Sequence, residues 1–514
     1  MTADPIADRR WHAMLCLHLG LALALGAWLL WKTRPVALPE APGARIQCLS
    51  YSPFRGPDRS PLVAGAPVEV ERIRHDLAAI AAVSGCVRIY AVDLGLDAVP
   101  AVAEELGMAV IVGAWIGRDG AANRRQVEAA VALARAHPRS VRALMIGNEV
   151  LLRREQTAGQ LAAMLDEVRR QVSVPVSYAD VWEFWLRHPE LAAAVDFVTV
   201  HILPFWEDHP VAAEHAVAHV VAVHRRVAAV FDKPVLIGES GWPSAGRQRG
   251  PAVPGRIEQA RFVREFLAAA AREEWRYNLI EAFDQPWKRR LEGTVGGFWG
   301  IFDGADRLHF PLTGAVAPRP AVGAAPATAL AAALLIGLLA ASIGRSSLQV
   351  AAFAATGLWS GMAGAMLLEH AWLAWRDATE WWVLGAVSAL GPCWLGLRVL
   401  VPRLVGDARR LCGWLHLAII FCAALAALWL AVDPRYRDFP LWMYAGVAPA
   451  LLLIGEATGP RQREAIRICA IVVALAGLAR LLPEPDNREA VAWSLLCLVL
   501  AAGGWFAGQQ QQRQ

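Results

Sequence analysis

Two glutamates, Glu149 and Glu239, each come directly at the end of a hydrophobic stretch typical of a β-strand, where an acid has no packing role. Two carboxylates in one cleft are the usual means of cleaving a glycosidic bond, because one protonates the leaving oxygen while the other attacks the anomeric carbon or activates water. The two need different environments, so that one stays protonated and the other ionised. Unrelated surface acids, or acids paired with nearby arginines, are the alternative interpretation.

Short strand-like runs alternate with helix-like stretches between Glu40 and about Pro311, which predicts a parallel sheet covered by helices. Residues 127–137 and 158–172 are clear helix patterns. The predicted strands are 45–51, 86–92, 109–115, 141–147, 174–179, 196–202, 234–240 and 278–283. Eight strands in a segment of this length fit a closed (β/α)8 TIM barrel, which typically takes ~250 residues. An open doubly wound sheet is the alternative, although YSPFRG after the first strand is not a glycine-rich phosphate turn.

A barrel places functional side chains at the C-terminal ends of its strands. Glu149 and Glu239 are about three βα units apart at roughly 31 residues per unit, so we expect them to face each other across the barrel mouth. Aromatic rings can cover the apolar faces of sugars, so tryptophans near strand ends are candidate sugar contacts, with core packing as the alternative. These tryptophans are Trp115, Trp182, Trp185, Trp206, Trp242 and Trp287.

The composition indicates a second, membrane-embedded region. Hydrophobic residues make up 56% of the 514 residues and charged residues only 19%, against ~25% charged in ordinary soluble proteins. Residues 11–31 carry no Asp, Glu, Lys or Arg and are long enough to cross a ~30 Å hydrocarbon core, with a cleaved signal peptide as the alternative. Seven further spans are predicted at 327–343, 348–368, 381–401, 411–432, 439–455, 466–482 and 490–508.

The arginines of the loops favour one orientation of these eight spans. If residues 1–10 lie in the cytoplasm, most of the arginines in the loops and at the span ends lie on the cytoplasmic side, as the positive-inside rule expects. These are Arg345, Arg398, Arg403, Arg409, Arg410, Arg461, Arg463 and Arg467. The tail 509–514 then returns to the cytoplasm, and the barrel domain, 40–314, lies outside. We expect the region 327–508 to serve as an anchor or docking surface, since nothing in it resembles a proton relay.

Other candidate sites are weaker. Cys48 and Cys86 lie on the first two predicted strands, and an oxidising compartment would permit a disulfide, but the sequence does not give their geometry. Three histidines have helical spacing without an evident further ligand, so we expect no metal site; these are His215, His219 and His224. A serine hydrolase is disfavoured because GESGW is not the pattern G-x-S-x-G. The net charge of +4 gives no indication of nucleic-acid binding.

Several motifs together resemble glycoside hydrolase family 17 over roughly residues 45–312. They are VRIY (87–90), IGNEV (146–150), IGESGWPSAG (237–246), EAFDQPWK (281–288) and GIFDGADR (300–307). This family contains β-1,3-glucanases and related transglycosylases, which are retaining enzymes on a (β/α)8 barrel. The resemblance implies that Glu149 is the general acid/base, that Glu239 is the nucleophile and that Asn148 binds the sugar 2-hydroxyl. It implies no cofactor. The expected substrate contacts are Tyr90, Asn148, Asp180, Trp182, Trp185, His201, Trp206, Trp242, Gln285, Trp287 and Lys288.

Three departures from the plant members bear on specificity rather than on the chemistry. Plant sequences usually have Glu at the position of Gln285 and often have Asn at the position of His201. They have Tyr-Pro-Tyr where this chain has the residues Leu-Pro-Phe at 203–205. The whole layout is similar to bacterial membrane proteins described as β-1,6-glucan synthases. The resemblance implies a retaining transglycosylase, anchored in a bacterial inner membrane with its barrel in the periplasm, that takes β-1,3-glucan donors and forms β-1,6 links.

A β-1,3-glucan hydrolase with the same catalytic residues is the alternative, and a non-catalytic glucan-binding scaffold is a third. The expected partners are a β-1,3-glucan donor and acceptor, the lipid bilayer and a glucan synthase in the same membrane.

Overall fold

The computed structural model describes residues 5–55, 59–63, 65, 67–401, 407–455 and 459–507. Residues 1–4, Arg403, the side chain of Arg409 and the predicted tail 509–514 lie outside the described residues. The chain divides into two compact units, which we call the barrel unit and the helical unit. The barrel unit comprises Pro35–Gly246 and Pro251–Val316, and the helical unit comprises Met1–Arg34, Arg247–Gly250 and Ala317–Gln514.

The barrel unit is built around a parallel eight-stranded sheet whose strands follow one another in sequence order. The strands are β1 (Leu49–Ser50), β2 (Cys86–Arg88), β3 (Ala109–Ala114), β4 (Val141–Asn148), β5 (Val176–Val181), β6 (Val198–His201), β7 (Val235–Glu239) and β8 (Arg276–Tyr277). After β8, Leu279 forms a parallel bridge with Leu49, and the N–H of Ser50 donates to the carbonyl of Leu279 at 2.9 Å. The sheet therefore curls back onto its first strand, consistent with the predicted (β/α)8 fold and unlike a doubly wound sheet, whose strand order reverses.

Seven of the predicted strands overlap strands of this sheet, and the prediction of the eighth is wrong in position. The observed β8 lies at Arg276–Tyr277, ahead of the predicted range 278–283. The chain beyond β8 leaves the regular ladder and touches it through isolated bridges, such as Phe283 to Phe302. The apolar residues of 278–283 are therefore buried, but they do not form a continuous strand.

The helices of the barrel unit follow the strands, and the two helix patterns recognised in the sequence coincide with α4 and α5. One helix precedes the barrel: α1 (Pro5–Lys32). The barrel helices are α2 (Val70–Ala81), α3 (Val99–Glu105), α4 (Gly120–Ala136), α5 (Ala158–Arg169), α6 (Trp182–Arg187), α7 (Ala213–Ala228), α8 (Arg256–Arg272) and α9 (Arg289–Glu292). Helix α5 begins with a capping box, in which Thr157 and Gln160 bind each other's backbone N–H groups.

The two faces of each strand have different surroundings, because successive side chains of a strand point to opposite sides of the sheet. Val87 and Ile89 belong to the large apolar core between sheet and helices. The inner face carries a smaller apolar cluster, made of Cys48, Ile111, Ala143, Met145, Ala179 and Leu236. Nearer the C-terminal ends of the strands the inner face becomes polar, with Ser50, Arg88, Tyr90 and His201, which we call the polar layer.

A disulfide joins Cys48 and Cys86 across neighbouring strands, with their Cα atoms 4.4 Å apart. The pairing that the sequence left open is thus present in the structure. A disulfide of this kind is stable in an oxidising compartment and is uncommon in a reducing cytosol.

The helical unit contains α1 and the remaining helices. The latter are α10 (Ala325–Ser342), α11 (Ser347–Ala374), α12 (Ala378–Leu400), α13 (Asp407–Val432), α14 (Leu441–Ala445), α15 (Ala448–Ile454), α16 (Pro460–Leu481) and α17 (Arg488–Phe506). Six helices within the described residues are long and apolar enough to cross a membrane: α1, α10, α11, α12, α13 and α17.

The two other predicted spans differ from these six. The span 439–455 coincides with a shorter apolar stretch, Leu441–Ile454, that is divided into α14 and α15. The span 466–482 falls on α16, whose first two turns carry Arg461, Arg463 and Arg467. The number of eight spans therefore stays a prediction.

Candidate active site

Glu239 is the last residue of β7, and its carboxylate is held by two side chains of the polar layer. The residue is only 6% exposed. The hydroxyl of Tyr90 donates to Oε1 of Glu239 at 2.8 Å, and Nη1 of Arg88 lies 3.7 Å from the same oxygen. Burial and the negative charge of Glu239 raise the pKa of Tyr90 well above its ordinary value, so the phenol remains a donor. These contacts hold the carboxyl group of Glu239 in a fixed orientation.

Glu149 follows β4 directly, in a backbone conformation that is uncommon for a residue with a side chain. Its φ angle is 54°, and Gly147 two residues earlier has a φ of 87°. A Cβ atom on Gly147 would lie 2.7 Å from a methyl group of Val150, so only glycine fits there. The regular register between β4 and β5 shifts at this point, after Met145. Strained backbone of this kind is typical of functional sites.

The two glutamates meet at His201, the last residue of β6. One carboxylate oxygen of each glutamate and one ring nitrogen of His201 all lie within 4.8 Å of one another. Nδ1 of His201 is 2.9 Å from Oε1 of Glu149, and Nε2 is 3.5 Å from Oε1 of Glu239. Retaining glycosidases have carboxyl groups ≈ 5–5.5 Å apart, and inverting ones ≈ 6.5–9.5 Å apart. The observed closeness fits the retaining spacing.

The environment of Glu149 combines opposing influences on its pKa. Burial acts to raise the pKa of Glu149, but the hydrogen bond and charge of His201 and the charges of Arg153 and Arg88 outweigh it. The net pKa of Glu149 is lowered. Glu149 is therefore favoured as a carboxylate whenever His201 is positively charged.

Arg88 is the residue that sequence reasoning missed at the centre of the site. Its Nη2 donates to Oδ1 of Asn148 at 2.6 Å, and its Nη1 donates to the carbonyl of Gly238 at 2.8 Å. A Cβ atom on Gly238 would lie 2.4 Å from Thr199, 3.2 Å from the ring of His201 and 3.3 Å from Nη1 of Arg88. Glycine at this position therefore leaves space for the imidazole and the guanidinium. An arginine within the apolar run CVRIYAV was the available signal, because a strand residue facing a barrel interior has no access to bulk water.

Four expected substrate contacts are buried side chains that support the fold instead. Trp185 and Trp242 are each 1% exposed and donate their Nε1–H groups to the carbonyls of Thr199 and Val253. The predictions of sugar contacts for them are wrong, because both rings are packed within the core.

Asp180 and Gln285, the two others, are each 0% exposed. Asp180 accepts hydrogen bonds from the backbone N–H groups of Leu151 and Leu152, which fixes the turn after Glu149. Gln285 accepts from the indole of Trp287 at 2.8 Å and orients that ring.

The remaining aromatic candidates stay accessible. Trp182, Trp206 and Trp287 are half-buried, and Trp115 is exposed with the guanidinium of Arg153 4.2 Å from its ring. Trp299, which sequence reasoning missed, stacks on Trp206 with ring centroids 6.3 Å apart and an interplanar angle of 14°. Its ring lies against Gly241, two residues after Glu239, where a Cβ atom would be 3.3 Å from it.

Lys288 lies among further acids at the same end of the barrel. Its Nζ donates to Oε1 of Glu281 at 2.7 Å. Burial raises the pKa of Glu281 to about 7 despite this ammonium group. Burial also raises the pKa of Glu292 to about 6, with the charges of Glu149 and Glu239 acting in the same direction. Glu281 and Glu292 are additional acids that sequence reasoning did not single out, and Lys288 offsets their charge.

The central cluster could also bind a metal ion, since Glu149 and Glu239 each provide a carboxylate oxygen and His201 provides a ring nitrogen as ligands. The guanidinium of Arg88, however, lies 3.7 Å from the same oxygen of Glu239 and within 3.5 Å of Nε2 of His201. A second positive charge at this position is electrostatically unfavourable. The donor set therefore fits a proton-transferring site better than a metal centre.

The barrel unit is similar to known glycosidases. Residues 48–300 match the BtgE/BtgC glycoside hydrolase domain. Glucan 1,3-beta-glucosidase of Saccharomyces cerevisiae is 24% identical over 262 residues, which cover 46% of this chain and 83% of the yeast protein. Probable beta-glucosidase btgE of Aspergillus flavus is 25% identical over 275 residues, covering 52% of this chain and 44% of that protein. The chain thus spans less than half the length of btgE.

A crystal structure of a glycoside hydrolase family 17 beta-1,3-glucanosyltransferase from Rhizomucor miehei is also similar. It is 23% identical, with a TM-score of 0.46, covering 52% of this chain and 97% of that chain. Two carboxylates meet at the C-terminal ends of β4 and β7, within a segment that matches a glycoside hydrolase domain. The chain is therefore an enzyme of glycosyl transfer whose barrel unit resembles the BtgE/BtgC glycoside hydrolases.

Proposed function

We propose that the protein is a retaining β-glucan transglycosylase. Glu239 attacks C1 of a glucosyl donor, while Glu149 protonates the leaving oxygen, and a covalent glycosyl-enzyme forms. Glu149 then takes the proton of the incoming hydroxyl as that hydroxyl displaces Glu239 from C1. The observation that carries this proposal is the closeness of the two carboxylates, which have one oxygen each within 4.8 Å of each other and of His201.

The donor in this proposal is a β-1,3-glucan. The relatives named above support this choice, since the yeast protein is called a glucan 1,3-beta-glucosidase and the Rhizomucor protein a beta-1,3-glucanosyltransferase. The half-buried tryptophans favour an oligosaccharide, because several rings along one edge of the barrel can each cover the apolar face of a sugar.

Transfer to a sugar requires that an acceptor outcompete water for the glycosyl-enzyme. Positioning can achieve this, since effective molarities of well-oriented groups reach ~10⁵–10⁸ M. The accessible rings of Trp182, Trp206 and Trp287 are the best acceptor platform that the barrel unit offers. We propose that the acceptor presents its 6-hydroxyl, so that a β-1,6 link or branch forms. If water is the acceptor instead, the protein is a β-1,3-glucan hydrolase, which the glucosidase names of the relatives favour.

Incubation of purified full-length protein with laminari-oligosaccharides distinguishes these two functions. We expect products longer than the donor, and linkage analysis should find new 1,6 bonds in them. Trp206→Ala should raise the ratio of hydrolysis to transfer, with donor cleavage retained, because it removes an acceptor contact but no reacting group. Val230→Ala, an exposed position after α7, is the control and should leave the ratio unchanged. If only glucose and shorter fragments form, even at high acceptor concentration, the hydrolase replaces the transglycosylase.

We further propose that the helical unit anchors the enzyme in a bacterial inner membrane, with the barrel unit in the periplasm. Six helices of suitable length and apolarity support this, as do large apolar side chains on the surface of the helical unit. Trp382 is 81% exposed and Leu338 is 68% exposed, which is unfavourable in water and favourable in lipid. A glucan synthase in the same membrane is a fitting partner, because transfer consumes glucan that has already been made outside.

The orientation predicts where reporters are active. A fluorescent protein that matures only in the cytoplasm should fluoresce when it is fused after Gln514, because eight spans return the chain to its starting side. A matched fusion of a phosphatase that needs periplasmic disulfides should be inactive at the same position. Cleavage of the fusion by protease added to intact spheroplasts would contradict the proposed orientation.

A further inference from the structure

His201 is enclosed between the two glutamates and has no access to solvent. The residue is 1% exposed. Its Nδ1 is within hydrogen-bond distance of Glu149, at 2.9 Å, while its Nε2 points between Glu239 and Arg88 at 3.5 Å from each. A buried imidazole that touches both carboxylates of a glycosidase site does more than fill space, because its charge acts on both of them in a medium of low dielectric constant.

The charged groups that face His201 come from four strands. Glu149 lies at the end of β4, Glu239 at the end of β7 and Arg88 on β2. Asp180 on β5 contributes a further negative charge that acts on both Glu149 and His201. Three carboxyl groups and one guanidinium thus surround the ring.

We propose that His201 stores the proton that Glu149 delivers, so that the two side chains act as a single proton-carrying pair. The proposal rests on the acid/base role of Glu149 in the proposed function. In the resting enzyme of this proposal the ring is an imidazolium, whose Nδ1–H donates to Oε1 of Glu149 and whose Nε2–H faces Glu239. As the C1–O bond breaks and the bond from Glu239 to C1 forms, this proton moves to Glu149 and then to the leaving oxygen. In the second step the proton of the acceptor hydroxyl returns through Glu149 to Nδ1, and the bond between Glu239 and C1 breaks.

The proposed pair places the resting proton on the imidazole rather than on the carboxyl group. The hydrogen bond and charge of His201 lower the pKa of Glu149 against the effect of its burial. An ordinary imidazole holds its proton up to about pH 6.5, whereas an ordinary glutamate loses it at about pH 4.3. A proton shared by the two groups is therefore retained to a higher pH than on a carboxyl group alone, and its loss belongs to the pair.

Formation of the covalent intermediate also controls when the proton leaves. Before reaction the charge of Glu239, 3.5 Å from Nε2, stabilises a positive imidazole. This charge disappears as Glu239 forms its ester with C1. The attraction for the proton weakens at the moment when the leaving oxygen needs it, because a nearby opposite charge favours the charged form of a group. His201 is thus a positioning residue that links the ionisation of the nucleophile to that of the acid.

The pH dependence of kcat/KM tests this link, using the full-length enzyme and two types of donor. With laminari-oligosaccharides, whose leaving group needs a proton, the wild type should lose activity only above about pH 6, as expected for an imidazole-containing pair. His201→Gln retains an amide donor but cannot store a proton. Its alkaline limb should move, because Glu149 then carries the proton alone, with a pKa set by burial and by the charges of Arg153 and Arg88. Activity on laminari-oligosaccharides should fall by up to about 10²–10⁴-fold, the usual contribution of acid catalysis.

A donor with an activated aryl leaving group should restore most of the activity of His201→Gln, because that group departs without protonation. Ser177→Ala is the control for a buried change on the inner face, since its hydroxyl bonds Thr199 at 2.8 Å, away from both glutamates. Its pH profile should match the wild type. His201→Asn serves as a second variant should glutamine not be accommodated.

Two outcomes overturn the proposal. One is a wild-type alkaline limb at the pH of an isolated carboxyl group, about 4.3, which needs no variant to detect. The other is an unshifted limb in His201→Gln with activity lowered equally at every pH and on both donors, as a purely structural role would give. A wild type that cleaves neither donor would instead refute the proposed function.

Discussion

Glu239→Gln should lower the turnover of laminari-oligosaccharides by at least about four orders of magnitude, since it removes the proposed nucleophile and with it the covalent route. The amide cannot attack C1, yet it keeps the shape of the side chain and accepts from Tyr90, so the fold should be unaffected. Glu128→Gln makes the same chemical change on the exposed face of α4 and should retain full activity. Initial rates, with thermal unfolding of each variant as a check of folding, provide the measurement.

Small anions extend this test to the role of Glu239. Glu239→Ala opens space at the nucleophile position, and azide should then attack an activated β-glucosyl donor to give a glucosyl azide of inverted configuration. Wild-type kcat in Glu239→Gln, or an azide product of retained configuration in Glu239→Ala, would remove Glu239 from the nucleophile role.

Glu149→Gln should show a defect that depends on the leaving group. On laminari-oligosaccharides the loss should be about 10²–10⁴-fold, the usual contribution of general acid catalysis. On aryl glucosides with acidic leaving groups, the first step should proceed at nearly the normal rate, because no proton is needed. The second step still lacks its base, so the glycosyl-enzyme should accumulate.

Mass spectrometry of the intact protein detects this accumulation as a covalent glucosyl adduct. Adding azide, which needs no base, should release the glucosyl group as an azide of retained configuration. An equal loss of activity on both types of donor, without an adduct, would contradict the assignment of Glu149.

The positions of the two glutamates could be predicted because they depend on a general property of parallel barrels, the gathering of strand ends at one mouth. The surroundings of the glutamates could not, because they depend on which side of each strand a residue faces and how deeply it lies. Trp185 and Trp242 are near strand ends in sequence but turn into the core, where each has a carbonyl partner. Strand-end position alone does not separate such rings from those at the mouth.

His201 and Arg88 illustrate a second limit. The sequence places His201 at the end of a strand, where a sugar contact is the natural expectation, but its contacts are the two carboxylates. Arg88 is 60 residues from its partner Asn148 in sequence, and only the closed sheet brings them together. The pairing of Cys48 with Cys86 is of the same kind, because the register of β1 and β2 determines it.

The polar layer has a consequence for the thermal stability of the barrel unit. A barrel interior is ordinarily filled by branched apolar side chains, whereas Arg88 and His201 are buried here at 1% exposure each. Burying such groups costs desolvation free energy that their hydrogen bonds and ion pairs only partly recover. We therefore expect the end of the barrel that carries the polar layer to be less stable than the end that carries the apolar cluster and its disulfide. Inactive variants that fill the polar layer with hydrocarbon should melt at higher temperature than the active enzyme, so selection for heat resistance alone would lead away from catalysis.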